Sequence, residues 1–237
     1  MLIGKLYLIP CSISEGTLDQ VLPPQVFSLI NQIDEYVVEN ERTARRFLKE
    51  AGLKIPQDKL IIHVLDKHAT NLPYQKFLRN CLSGKSIGLL SEAGCPAVAD
   101  PGSELVLAAH KLQIPVIPLV GPSSILLAIM SSGFNGQAFT FHGYLPFDKT
   151  LRSKKLKELE QHSRKENHTH LFIETPFRNK QIFDEILKNC LGSTLLSICC
   201  DVTSSEQYIH TYSIGEWKKI TPPIEKRPAI FTLYCPN

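Results

Sequence analysis

Short apolar runs recur through the first half of the chain, at Lys5 to Ile9, Tyr36 to Val38, Leu60 to Val64, Ser86 to Leu90 and Val116 to Leu119. They are too short for buried helices and rich in Ile, Val and Leu, so they predict strands, the first of them within MLIGKLYLIP. Between them apolar residues fall three and four apart. Ala44 to Ala51 is closed by Gly52, and Leu105 to Leu112 is opened by Asp100-Pro101-Gly102. Breakers at those places predict helix ends. Strand alternating with helix predicts an α/β fold with a mostly parallel sheet.

After Gly121-Pro122 the rhythm changes. A helix is expected around Ser123 to Met130, then strands near Phe139 to Phe141, His170 to Glu174, Leu195 to Cys200, Tyr208 to Ser213 and Ala229 to Tyr234. The last strands follow one another with little helix between, which predicts antiparallel pairs. A boundary near residue 120 therefore separates an N-terminal α/β domain, 1–120, from a C-terminal α/β domain with a mixed sheet, 121–237. The segment Phe147 to His170 is the most polar, with seven Lys or Arg, four acids and three His. Leu151, Leu156 and Leu159 are spaced for one apolar face, so a solvated surface helix is expected rather than a phosphate-binding one.

Composition narrows the function classes only a little. The 237 residues carry a formal charge of +3, which permits an RNA partner without requiring one. Seven cysteines include no CxxC pair and no Cys/His spacing suited to zinc, so free thiols and no metal are expected, in a reducing cytoplasm. The N-terminal apolar stretch is too short to span a bilayer and lacks a signal-peptide pattern, so no membrane association is expected.

Two segments hold the candidate chemistry. Leu89 to Gly102, LLSEAGCPAVADPG, follows a strand and precedes a helix, the end of an open α/β sheet where ligands gather. Ala93-Gly94 removes side-chain bulk, so backbone groups can approach a flat ligand, and Pro96 stiffens the exit. An equally good reading of Asp100 is a helix cap with Pro101 at the first helical position. Val116 to Ser124, VIPLVGPSS, repeats the arrangement, with Ser123 and Ser124 at a helix start, where a cap is the commoner role. GxGxxG, GxxxxGK[ST], HExxH and GxSxG are all absent, which removes the fingerprints of dinucleotide, P-loop, zincin and hydrolase sites.

The combination of SEAGCPAVADPG, VIPLVGPSS, FHGYLP at Phe141 to Pro146 and LFIETPFR at Leu171 to Arg178 resembles the ribosomal RNA small-subunit ribose methyltransferase I group of the tetrapyrrole-methylase superfamily. VENERTAR at Val38 to Arg45 fits a fifth segment, and the resemblance covers roughly residues 4 to 235. It implies an α/β, two-domain tetrapyrrole-methylase-like fold, S-adenosyl-L-methionine in the interdomain cleft, a homodimer, and methylation of a cytidine 2'-hydroxyl in small-subunit ribosomal RNA or its particle. Carried over position by position, Pro10, Ser91, Glu92, Ala93, Gly94, Pro96, Ser123, Ser124, Ile173, Glu174, Pro228 and Ala229 would line the cofactor.

Asp100, Glu39 and Glu174, at strand ends, are the candidates for orienting or deprotonating the acceptor hydroxyl, Asp100 first. Arg42 and Arg178 are candidates for holding phosphate, against surface pairing of Arg42 with Glu39 or Glu41. Tyr144, beside His142 and Gly143, is a candidate for base stacking. The chain departs from the family's usual Pro-Ile-Gly-Asn at Pro10-Cys11-Ser12-Ile13, and from Glu-Asp-Thr-Arg at Glu39 to Arg42. It departs again from Glu-Ser-Pro-His-Arg at Glu174 to Arg178, and from Arg-Glu-Leu-Thr-Lys at Cys200 to Ser204. It stops where many members continue into a small helical module. Those departures leave two alternatives: a tetrapyrrole or other small acceptor, or cofactor binding without turnover.

Overall fold

The structure, a computed structural model, describes residues 3–65 and 73–236; Met1 and Leu2 of the N-terminal apolar stretch lie outside them. It divides into two compact units, 1–123 and 124–237. No helix among the described residues is long and apolar enough to cross a membrane.

The first unit runs β1 (Leu6–Ile9), α1 (Leu18–Val21), α2 (Pro24–Ile30), β2 (Glu35–Val38), α3 (Glu41–Glu50), β3 (Ile61–Val64), α4 (Tyr74–Phe77), α5 (Arg79–Leu82), β4 (Ile87–Leu90), α6 (Ser103–Lys111) and β5 (Val116–Pro118). Its five strands lie in the order β3-β2-β4-β1-β5, and every pairing is parallel. Parallel strands need covered faces. One core joins Val26, Leu29 and Ile30 of α2 and Phe47 and Leu48 of α3 to one face of the sheet; another joins Leu78, Cys81, Leu105 and Ala109 to the opposite face. This division follows from right-handed crossovers: β1 to β2 to β3 travels one way along the sheet, β3 to β4 to β5 the other, so the helices change sides.

Local chemistry sets the ends. Helix α3 begins three residues before the expected Ala44, because Asn40 Oδ1 accepts from the backbone N–H of Arg42 at 2.9 Å and of Thr43 at 3.3 Å. Gly52 follows it at φ +78°, the left-handed conformation that ends helices. The N-cap position of α6 is Gly102, two residues beyond Asp100.

The second unit runs α7 (Ser124–Ser132), β6 (Phe139–Tyr144), α8 (Lys149–Glu166), β7 (Thr169–Ile173), α9 (Asn179–Asn189), β8 (Leu195–Cys200), β9 (Tyr208–Ser213), α10 (Ile214–Trp217) and β10 (Ala229–Tyr234). The order β6-β7-β10-β8-β9 has one parallel pair, β6 with β7, and antiparallel pairs elsewhere, which is the mixed sheet expected. Leu156 and Leu159 of α8, Ile182, Phe183 and Ile186 of α9 and Trp217 form one core with the sheet. The apolar face foreseen on α8 is corrected at one position. Leu151 is 58% exposed and Arg152 is buried in its place. The Arg152 guanidinium is spent on a fork to Glu185, at 2.6 and 2.7 Å, and on the carbonyls of Pro146 and Phe147.

Candidate functional site

In the first unit all strands point the same way, so the loops after β1, β2, β4 and β5 leave one edge of the sheet. The chain leaves neighbouring β1 and β4 in opposite directions, the arrangement that opens a ligand crevice at strand C-termini. The loops that meet there are tied together. Cys11 donates its N–H to the Gly94 carbonyl at 2.9 Å, and Gly94 returns one to the Cys11 carbonyl at 3.1 Å. The Cys11 thiol reaches the Ser91 carbonyl, the Ser91 hydroxyl lies 3.3 Å from the carbonyls of Ala93 and Gly94, and the Cys95 thiol lies 3.3 Å from the Pro122 carbonyl.

Two glycines make this closeness possible. A Cβ at Gly121 would fall 2.2 Å from Pro10 Cγ, and Gly94 holds φ +71°. Ala97 and Ala99 also take left-handed backbone, at φ 65° and 62°, an expense of about 1 kcal/mol or more each that the surrounding loop must offset. Such strain concentrates where a backbone is held for a ligand.

The edge is acidic. Thr43 Oγ1 donates to Glu92 Oε1 at 2.6 Å, bringing the start of α3 to the loop after β4. Burial, followed by the charge of Glu92 and then of Asp100 and Glu39, pushes the Cys11 thiol well above its ordinary range. The three acids thus act on one point, although they lie on loops after β2 and β4. Both carboxylate oxygens of Glu39 are shielded from solvent, and Asp100 is half-buried. A cavity of about 180 Å³ opens here, with Cys11, Ser12, Thr43, Phe47, Ser91 and Glu92 among its lining residues. A larger groove of about 580 Å³ between Tyr74 and α6 lacks these convergent polar groups.

The sequence candidates of this unit fall as follows. Pro10 and Pro96 are buried in the loop junction, Gly94 bridges it, Ser91 lines the cavity from a buried position, Glu92 lines it from an exposed one, and Ala93 is exposed. Ser123 ends the unit half-buried beyond Pro122. Arg42 is exposed, and Glu41 pairs instead with Arg45 at 2.7 Å; no ion pair engages Arg42 among the described residues. Thr43 and Cys11 were not foreseen as contributors, since each is defined by a partner about 50 to 80 positions away in sequence.

In the second unit the C-termini of β6, β7 and β8 and the start of β10 share one edge, as the register of Tyr144 with Ile173, Ile173 with Ile230 and Cys200 with Ala229 requires. Tyr144, Ile173, Glu174, Pro228 and Ala229 therefore gather there, and Ser124 opens α7. Glu174 is almost fully buried. Its Oε1 accepts from the Thr175 N–H at 2.8 Å and its Oε2 pairs with Arg178 at 2.9 Å. With both oxygens engaged, Glu174 acts as the anchor of Arg178. The Arg178 guanidinium lies 4.4 Å over the Phe147 ring, a cation–π contact. Phe147, Phe177 and Tyr144 are 82%, 81% and 61% exposed.

No family model matches the chain. A ribosomal RNA small subunit methyltransferase I of Halalkalibacterium halodurans is 31% identical over 202 residues, 85% of this chain and 65% of that protein. One of Buchnera aphidicola is 30% identical over 207 residues, 87% of this chain and 68% of that protein. The chain belongs to the ribosomal RNA small subunit methyltransferase I family. It spans about two thirds of the length of the curated relatives it matches. Its fold is that of the methyltransferase CobJ, with a TM-score of 0.62 at 16% identity, covering 98% of this chain and all of that one.

Within the family the departures acquire a structural sense. Asn40, where Asp is usual, caps α3 through its side-chain oxygen, a task either residue performs. Phe177, where His is usual, is an exposed ring beside the anchored Arg178. Asp201, in the altered segment after β8, pairs with Arg227.

Proposed function

We propose that the chain transfers a methyl group from S-adenosyl-L-methionine to a ribose 2'-hydroxyl of small-subunit ribosomal RNA. The junction of loops at the strand ends of the first unit carries the cofactor part of this reading. The close packing of Gly94 and Gly121 against the loop after β1 sets this junction at the strand ends, where open α/β sheets bind ligands, and the cavity of about 180 Å³ beside Ser91 and Glu92 has room for part of such a cofactor. The residues that would hold it are Ser91 to Pro96 with Pro10, and, by resemblance, Ser123, Ser124, Ile173, Pro228 and Ala229.

Bound there, S-adenosyl-L-methionine supplies an electrophilic methyl on a sulfonium that departs as a neutral thioether, so no acid is needed at the leaving group. What the protein must add is alignment and removal of one proton. Asp100 and Glu39 take that part, accepting the hydrogen bond of the ribose hydroxyl and drawing its proton as the oxygen attacks. The exposed rings of Phe147, Phe177 and Tyr144 and the Arg178 guanidinium over Phe147 support RNA as acceptor, because unpaired bases stack on exposed aromatics and guanidinium planes. Arg42, exposed beside the acidic edge, suits a backbone phosphate. By resemblance the working form is a homodimer in the cytoplasm, which sedimentation of the purified chain tests.

The deciding experiment is calorimetric titration with S-adenosylhomocysteine, followed by transfer of labelled methyl to small-subunit particles from cells lacking the gene. Binding with transfer to a ribose upholds the proposal. Binding without transfer turns it toward another acceptor, and absence of binding removes the cofactor assignment.

A further inference from the structure

Four histidines on the second unit take no part in that function. His142 lies on β6, His162 on the last turns of α8, His168 in the turn that follows and His170 on β7. The rings of His162, His168 and His170 form a triangle with centroid separations of 4.9, 5.0 and 5.0 Å. One ligand-capable atom from each lies within 4.8 Å of the others. His162 Nδ1 and His170 Nε2 are already 3.1 Å apart.

We propose that His162, His168 and His170 form a binding site for a divalent first-row transition-metal ion, with zinc as the ion their geometry and donor type suit. A zinc ion about 2.0–2.1 Å from each nitrogen in tetrahedral array sets the donors roughly 3.3 Å apart and the ring centroids roughly 5 Å apart. The centroids stand at that spacing, and one donor pair is within a few tenths of an ångström of it. Three imidazoles leave a fourth position for water, and the exposed His162 side keeps that position open to solvent.

The outer partners are also those of a metal site. The Nδ1–H of His170 is positioned to donate to His142 Nε2 at 2.9 Å, which fixes the tautomer that turns Nε2 toward His162. Thr140 Oγ1 lies 2.8 Å from His168 Nε2 and orients that ring. The surrounding charge is mixed, Lys155 acting on His142 and His170 and Glu166 on His168. The ion would fasten the end of α8 to the start of β7. Neither CxxC nor a zincin pattern announces this site, because its donors come from a helix end, a turn and a strand.

The test uses the full chain, stripped with a chelator and titrated with Zn²⁺ by calorimetry near neutral pH, with Co²⁺ as a spectroscopic probe. One ion per chain is expected, and a Co²⁺ visible spectrum without a thiolate charge-transfer band. His162→Gln, at an exposed position, and His168→Asn, at a half-exposed one, should each weaken Zn²⁺ binding roughly tenfold or more while circular dichroism stays unchanged. No stoichiometric uptake, a thiolate band, or undiminished binding in either variant would overturn the site.

Discussion

At the scale of single residues, the acidic edge of the first unit distinguishes groups by what holds them. Glu92 accepts from Thr43, and Asp100 lies two residues ahead of Gly102, the N-cap of α6. Asp100→Asn preserves size and removes the carboxylate, so S-adenosylhomocysteine affinity should hold while methyl transfer falls by roughly 10²- to 10⁴-fold. Transfer at the wild-type rate would take Asp100 out of the reaction. Gly121 is governed by space. With a Cβ 2.2 Å from a proline ring, Gly121→Ala should cost about 1–3 kcal/mol in urea unfolding and weaken S-adenosylhomocysteine binding. An unchanged unfolding midpoint would mean the loop after β5 yields without resistance.

At the scale of elements, α8 and α9 are joined through a buried ion pair. Removing one partner strands the other charge in the core, so Glu185→Ala should lose about 3–5 kcal/mol. Arg152→Met combined with Glu185→Leu should recover much of it. The pair also carries a pH signature. Hydrogen bonding to Arg152 holds the Glu185 carboxyl below its unfolded value of about 4.3, so its contribution is complete above about pH 5 and fades as acid protonates the folded form. The stability gap between wild type and Glu185→Gln, measured by urea titration, should therefore narrow on acidification; a constant gap would assign it to packing.

This pair also marks what sequence reading reaches. The strands were legible because each is a short apolar run with breakers at both ends, as Leu195 to Cys200 is. The buried Arg152 was not, because its partner lies 33 residues on, and local spacing favoured Leu151. Helix α9 escaped for a related reason: Ile182, Phe183 and Ile186 make a narrow stripe in an otherwise polar stretch. In the candidate site, loop positions were readable from strand ends, but the Cys11–Gly94 bridge, the Thr43–Glu92 bond and the histidine triangle depend on pairings that only the register supplies.

At the scale of the whole molecule, the two units bear different parts of the proposed reaction, one the acidic loop junction and the other an exposed aromatic edge. Phe147→Ala should leave S-adenosylhomocysteine binding intact while weakening RNA binding by about 1–3 kcal/mol, the usual worth of one stacked base. Equal RNA affinity would move the acceptor surface elsewhere. The strand order of the first unit has a consequence of another kind, in time. β1 has only β4 and β5 as neighbours among the described strands, and β4 lies between β1 and β2. As the chain leaves the ribosome, β2 and β3 can pair at once, but β1 must wait without its partners until residues near 90 emerge. Assembly of this sheet is therefore late and concerted, and β1 is the strand that stays longest without a partner and most open to misassociation during synthesis.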